Sequence, residues 1–200
     1  VLDEETLLKW VTTIQAASLT AVDTETTSLD GMKAQLVGIS LSVEPGRAAY
    51  IPLAHDYPGA PNQLPLQWVL GHLQPWLENA TAAKVGQHVK YDMHVWANHG
   101  IHVQGMVHDT LLQSYVLEAH KPHALDSLAL RHLGRNGITY EELCGKGAQQ
   151  IPISQVDIDN VSRYACEDAD MCLEVHQTLW PRIQSEAGLS RIYEIGRTAL

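Results

Sequence analysis

Four acidic residues and a tyrosine stand in this chain at spacings that aim their side chains together. Asp23 and Glu25 are two apart in the segment TAVDTET, which reads as a strand, so both carboxylates leave the same face of a sheet. Tyr164 and Asp168 are four apart in RYACEDAD, which reads as a helix, so they share one helical face. Asp92 lies in a third segment, at the head of a helical stretch. Carboxylates gathered without cations repel one another, and a pair of divalent metal ions relieves that repulsion. The chemistry this suggests is metal-assisted hydrolysis of a phosphoester. Each residue alone has an ordinary reading: a solvated strand end for DTET, and helix-surface acids for Asp92 and Asp168. The crowding of Glu167, Asp168 and Asp170 in one turn opposes that ordinary reading, because like charges so placed destabilise a helix.

The elements that must position these groups follow from hydrophobic period and turn chemistry. A helix is predicted over Asp3–Ala17, with Leu7, Leu8, Val11 and Ile14 as its apolar stripe. Strands are predicted at Leu19–Thr24, Gln35–Val43 and Ala48–Leu53, the last two joined as a hairpin by Glu-Pro-Gly-Arg. A helix over Gln67–Asn79 contains Pro75, which should kink or divide it. A short buried strand, Ala83–Gly86, leads into a helix over Val89–Asn98 that Gly100 ends. A strand near Val103–Val107 precedes a helix capped by Asp109. A further helix opens at Asp126 or Ser127 and runs to His132. The stretch Gly134–Pro152 reads as loop around one short helix, a long helix spans Asp157–Trp180, and a last one begins near Leu189. The predicted fold is α/β: a mixed sheet of three antiparallel strands extended by parallel ones and flanked by helices.

Bulk composition limits the alternatives. Two hundred residues, 45% apolar and 18% charged, suit one soluble globular domain. No apolar run approaches the roughly 20 residues that cross a bilayer, and the acidic, amphipathic start is no secretory signal. The absence of an initiator Met suggests a segment of a longer protein. Cys144, Cys166 and Cys172 are odd in number and form no CxxC pair, so they read as reduced thiols of a cytosolic protein rather than a disulfide or zinc framework. The eleven histidines lack a consistent ligand spacing. A net charge of −10 argues against a free-standing nucleic-acid binder, which carries a basic stripe. It suits a nuclease that meets phosphate through metal ions.

Taken in combination, the motifs resemble a family: the 3′–5′ exonuclease domain of bacterial family A DNA polymerases, of the DNA polymerase I type. The resemblance lies in Val22-Asp23-Thr24-Glu25-Thr26, in Val85-Gly86-Gln87-His88-Val89-Lys90-Tyr91-Asp92, and in Tyr164-Ala165-Cys166-Glu167-Asp168-Ala169-Asp170. Segments such as HDTLLQSYVLEA, LDSLA and EELCGKG extend it over essentially the whole chain. It implies a ribonuclease H-like sheet in residues 1–188, with 189–200 starting the connection to a polymerase domain. It also implies two divalent cations, Mg²⁺ before Mn²⁺ or Zn²⁺, and proofreading of single-stranded or frayed 3′ DNA ends in the bacterial cytoplasm, the isolated domain being monomeric. Carried over residue by residue, Asp23 would bridge both ions, Glu25 and Asp168 would complete one site, and Asp92 would serve the other through water. Tyr164 would hold the attacking water with Glu25. Leu29 and Tyr140 would wedge against the terminal bases, and Gln87, His88 and Tyr91 would reach sugar or phosphate. His88 and Tyr140 depart from the family's Asn and Phe, which concerns the geometry near the terminal nucleotide rather than the metal site. Two other readings share the motifs: an RNA-trimming exonuclease, and an inert domain that keeps the fold.

Overall fold

In a computed structural model of the chain, residues 1–198 are described. Five strands form one sheet in the order β3-β2-β1-β4-β5. Strand β1 (Thr20–Thr26) pairs antiparallel with β2 (Leu36–Glu44), which pairs antiparallel with β3 (Arg47–Pro52). On its other side β1 pairs parallel with β4 (Lys84–Gly86), and β4 with β5 (Met106–Asp109). The hairpin between β2 and β3 turns at Pro45-Gly46, where Gly46 takes φ +78°. Proline preceding a left-handed glycine is the chemistry of a type II turn.

Helices cover both faces. Helices α1 (Glu4–Ala16), α2 (Leu66–Leu77) and α3 (Val89–Asn98) lie on one face, where Leu7, Ile14, Val22, Ile39, Leu73 and Trp96 form the main core. The opposite face is crossed by α7 (Ile158–Gln184), which packs on β1, β2, β3 and β4. Around α7 gather α4 (Thr110–Glu118), α5 (Leu125–Leu133), α6 (Tyr140–Cys144) and α8 (Ala187–Arg197). Strand β1 therefore runs through the middle, and alternate side chains address different helices. Ala21 packs with Cys172 and Leu173 of α7, while Val22 joins the core under α1–α3.

Several boundaries differ from the sequence expectation. The strand expected near Val103–Val107 is Met106–Asp109 instead, because Gly105 turns with φ +71° and Val103 is spent in the core beneath α3. Pro75 does not divide α2. It sits in the last turn, so only the Gly71 carbonyl loses its helical donor. Helix α7 passes Trp180 and Pro181 to end at Gln184, and α5 starts at Leu125 without a side-chain cap, since Asp126 instead accepts from the adjacent Ser127 N–H.

Candidate active site

The site forms where β1 ends. Asp23 and Glu25 leave β1 on the α7 face, and Asp168 comes down from the third turn of α7 to meet them. One oxygen from each of the three carboxylates lies within 4.8 Å of the others. Opposite Glu25, β2 carries a bulge: Glu25 pairs with Gly38 but Thr26 with Leu36, leaving Val37 as the extra residue. The Val37 carbonyl then accepts from both Leu53 and Ala54. Bulges of this kind twist a strand locally and re-aim its side chains. Gly38 has no side chain to fill the space beside Glu25, and the ring of Tyr50 occupies it.

Asp92 stands apart from these three. It is 2% exposed on the first turn of α3, and it accepts a hydrogen bond from the Thr24 hydroxyl at 2.5 Å. Thr24 leaves β1 on the face opposite Asp23 and Glu25, so one strand addresses three of the acids from alternate positions. Asp92 remains close enough to be coupled electrostatically to Asp23 and Glu25.

Burial raises all four carboxyl groups, and repulsion from neighbouring acids adds to it at Glu25, Asp92 and Asp168. Burial pushes Asp23 up to about 6, opposed by the Thr24 backbone N–H. Glu25 is held well above its usual range by burial, then by Asp23, Asp168 and Asp92. Burial and then Asp23 do the same to Asp168, with the Tyr164 hydroxyl opposing. Asp92 is raised by burial and Asp23 and eased by Thr24. No ion pair among the described residues includes any of the four. The nearby acids of α7 are treated differently. Arg135 pairs with Asp170 at 2.8 Å, with Glu174, and with Glu167 at 4.0 Å. Arg135 thus offsets part of the charge of its acidic neighbours, while Asp168 has no ion-pair partner among the described residues. A cluster of hard oxygen donors lacking its own cation is consistent with divalent-metal binding.

Tyr164 stands beside Asp168, one turn earlier on α7. Burial and then the charge of Asp168 drive its hydroxyl far above the usual phenol range, so it stays protonated at neutral pH. Tyr140, at the start of α6, meets Tyr164 edge to face with ring centroids 6.5 Å apart and is 40% exposed. Leu29 is 99% exposed on the loop after β1, which excludes a core role for it. The Tyr91 hydroxyl bonds the Ser28 carbonyl and the Thr26 hydroxyl, each at 2.5 Å, and so anchors that loop. Gln87 is held by the His123 carbonyl at 2.9 Å and by Thr110. His88 caps α3 in the left-handed region, at φ 63° and ψ 48°. The backbone explains its difficulty: an L-residue there crowds its Cβ, and asparagine tolerates the conformation better.

Some contributors were not legible in the sequence. Thr24 looks like a spacer between two acids, and only the sheet shows it facing Asp92. Arg135 is 35 residues from Asp170, with no local signal for the pairing.

A mixed sheet with parallel extension and an acidic cluster at the end of its central strand defines a ribonuclease H-like nuclease fold. The comparisons with known proteins agree. The catalytic core of RRP6 from Trypanosoma brucei superposes with a TM-score of 0.74 at 16% identity, over 99% of this chain and 50% of that one. Brucella melitensis NrnC with bound Mg²⁺ gives 0.66 at 18% identity, over 90% of this chain and 80% of that one. Residues 1–184 match the family model described as 3′-5′ exonuclease. DNA polymerase I of Pseudomonas aeruginosa is 46% identical over 195 residues, covering 96% of this chain and 21% of that protein. DNA polymerase I of Rhizobium leguminosarum is 40% identical over 210 residues, covering 96% and 20%. The chain belongs to the 3′–5′ exonuclease domain family, homologous to the exonuclease region of DNA polymerase I. It spans about a fifth of the length of those relatives.

Proposed function

We propose that this chain hydrolyses the 3′-terminal phosphodiester of single-stranded or frayed DNA and releases nucleoside 5′-monophosphates, as the proofreading domain of a DNA polymerase I in the bacterial cytoplasm. The observation that carries the reading is the approach of Asp23, Glu25 and Asp168 within 4.8 Å, with no ion pair to any of them among the described residues. Asp23, Glu25 and Asp168 would hold one divalent ion, and Asp23 with Asp92 a second. Mg²⁺ suits an all-oxygen set better than Zn²⁺, which favours nitrogen and sulfur. When bound, such ions stabilise the attacking and leaving oxygens of an in-line displacement and acidify water.

The protein groups divide the remaining work. The Tyr164 hydroxyl, kept protonated, orients the attacking water as a hydrogen-bond donor or acceptor but does not take its proton. Glu25, nearly buried beside it, accepts a hydrogen bond from that water. Leu29 and Tyr140, both exposed, would pack against the terminal bases, and packing on bases reads no sequence, which suits an editor that must accept any base. Mismatched ends fray more readily because less pairing is lost. The boundary between an exonuclease domain at 1–188 and a connection at 189–200 belongs to this proposal. That connection would start docked, because Tyr193 of α8 is fully buried.

The test is mononucleotide release from a 3′-labelled DNA strand in Mg²⁺ or Mn²⁺, beside Asp23→Ala and Asp168→Ala. Loss of at least a hundredfold in both variants is expected; equal activity in all three proteins ends the nuclease reading. An RNA strand of the same sequence, if cleaved faster, would reassign the substrate.

A further inference from the structure

We propose that Asp109 is a positioning residue of this site, setting where the first turn of α3, and with it Asp92, stands against β1; this rests on the nuclease reading above. Asp109 closes β5 and is 1% exposed. Its Oδ1 accepts from the backbone N–H groups of His88 at 3.1 Å, Leu111 at 2.8 Å and Leu112 at 3.4 Å. Its Oδ2 accepts from the Val89 N–H at 3.0 Å. One buried carboxylate therefore caps two helices, α3 and α4, which follow adjacent parallel strands. The sequence suggests only the cap of α4, since the other two donors lie 20 and 21 residues upstream.

Helix α3 needs this outside cap. The first N–H groups of a helix have no partner within it, and the residue at its own cap position, His88, makes no side-chain capping bond. The left-handed backbone of His88 is held at both ends: Asp109 takes its N–H, and the Val89 N–H that follows goes to the same carboxylate. Gly86 lets this turn press against β1. A Cβ there would stand 2.7 Å from Val89 Cγ1 and 3.3 Å from the Val22 carbonyl oxygen. Asp92 lies one turn further on, bonded to Thr24 of β1. Asp109 is itself fixed from behind, because its backbone N–H donates to the Tyr193 hydroxyl at 2.9 Å. A continuous set of contacts thus runs from α8 through Asp109 and α3 to Asp92 and β1. Asp109 makes no hydrogen bond to the four acids, and it meets His88 only at the backbone N–H, so it acts through the helix it holds.

Asp109→Ala removes all four acceptor contacts. Asp109→Asn keeps the three made by Oδ1 and turns an amide donor toward the Val89 N–H. In Asp109→Ala, Mn²⁺ affinity by calorimetry is expected to weaken at least fivefold. The kcat for mononucleotide release should fall at least tenfold while KM for the strand stays within threefold. Amide exchange at residues 89–92 should accelerate at least tenfold. Asp109→Asn should fall between the two proteins in each readout, and it decides the matter if Asp109→Ala does not fold. A folded variant of lower Tm with wild-type Mn²⁺ affinity, kcat and exchange at 89–92 would overturn the proposal and leave Asp109 a plain stability residue. If the unaltered protein releases no mononucleotide, the nuclease reading fails, and the Mn²⁺ and exchange measurements still decide the role of Asp109.

Discussion

Asp23 shows how the site trades stability for function. Its carboxyl is pushed from 3.8 up to about 6, so between those values the native state binds more protons than the unfolded chain. Stability then falls as pH rises through that window, and the deficit is complete above pH 6. For Asp23 alone it is on the order of 3 kcal/mol. Asp23→Asn should therefore raise Tm in the presence of a chelator at pH 7.5, with a gain that shrinks toward zero near pH 4. Equal Tm for both proteins at pH 7.5 would show that burying the Asp23 carboxylate carries no such cost. Saturating Mg²⁺ or Mn²⁺ should raise the Tm of the unaltered protein and leave that of Asp23→Asn much less affected. His88 makes a second case at this scale. Its left-handed backbone suits asparagine better, so His88→Asn should stabilise the fold by about 0.5–1 kcal/mol. The variant should keep its metal dependence and change turnover only modestly; loss of metal binding would show that the imidazole belongs to the site.

Among the elements, α7 and α8 carry more than their local sequences suggest. Arg135 ties the loop before α6 to α7 through Asp170 and Glu174, and the Ile138 N–H adds a bond to Glu167 at 2.9 Å. These contacts set Tyr140 against Tyr164. Arg135→Ala should lower Tm by several degrees and slow turnover severalfold through the displaced aromatic pair, a combination that paired melting and kinetic measurements would show. Helix α8 packs on a partly buried aromatic group in which His108 lies 4.1 Å from His176 and 4.5 Å from Trp180, centroid to centroid, and faces Tyr193. Burial lowers His108 to about 4 and His176 to about 3. The unfolded chain binds more protons below its histidine pKa of 6.5, so stability is lost as pH falls from about 7 toward 4. Amide exchange in α8 should rise before that in β1 as pH drops; uniform exchange would show that the histidines do not govern its docking. Helix type and order were readable from hydrophobic period, because apolar stripes report burial directly. The position of β5 was not, since the Val103 and Val107 pattern fits a strand equally well until Gly105 turns the chain.

At the scale of the molecule, charge limits what the domain does alone. With a net charge of −10, with Lys9, Lys33, Arg47, Arg131, Arg135, Lys146 and Arg197 each engaged by carboxylates, and with Lys84 buried, few cations remain to displace counterions from DNA. Log affinity against log salt should have a slope shallower than about −2 for a single strand; a steep slope would reveal a basic track. No helix among the described residues is long and apolar enough to cross a membrane. By itself the sequence determined the α/β class, the carboxylate set and the strand and helices that carry it, because residue spacing maps onto periods of 2 and 3.6 whatever the rest of the chain does. Tertiary structure decided which acids meet and which are neutralised. Asp23, Glu25 and Asp168 converge, Asp92 is drawn to Thr24, Arg135 pairs with Glu167, Asp170 and Glu174 but not with Asp168, and Asp109 joins two helix ends. The long-range pairings among these span between 20 and 145 residues of chain, and only the packing of helices on both faces of one sheet brings such partners within bonding distance.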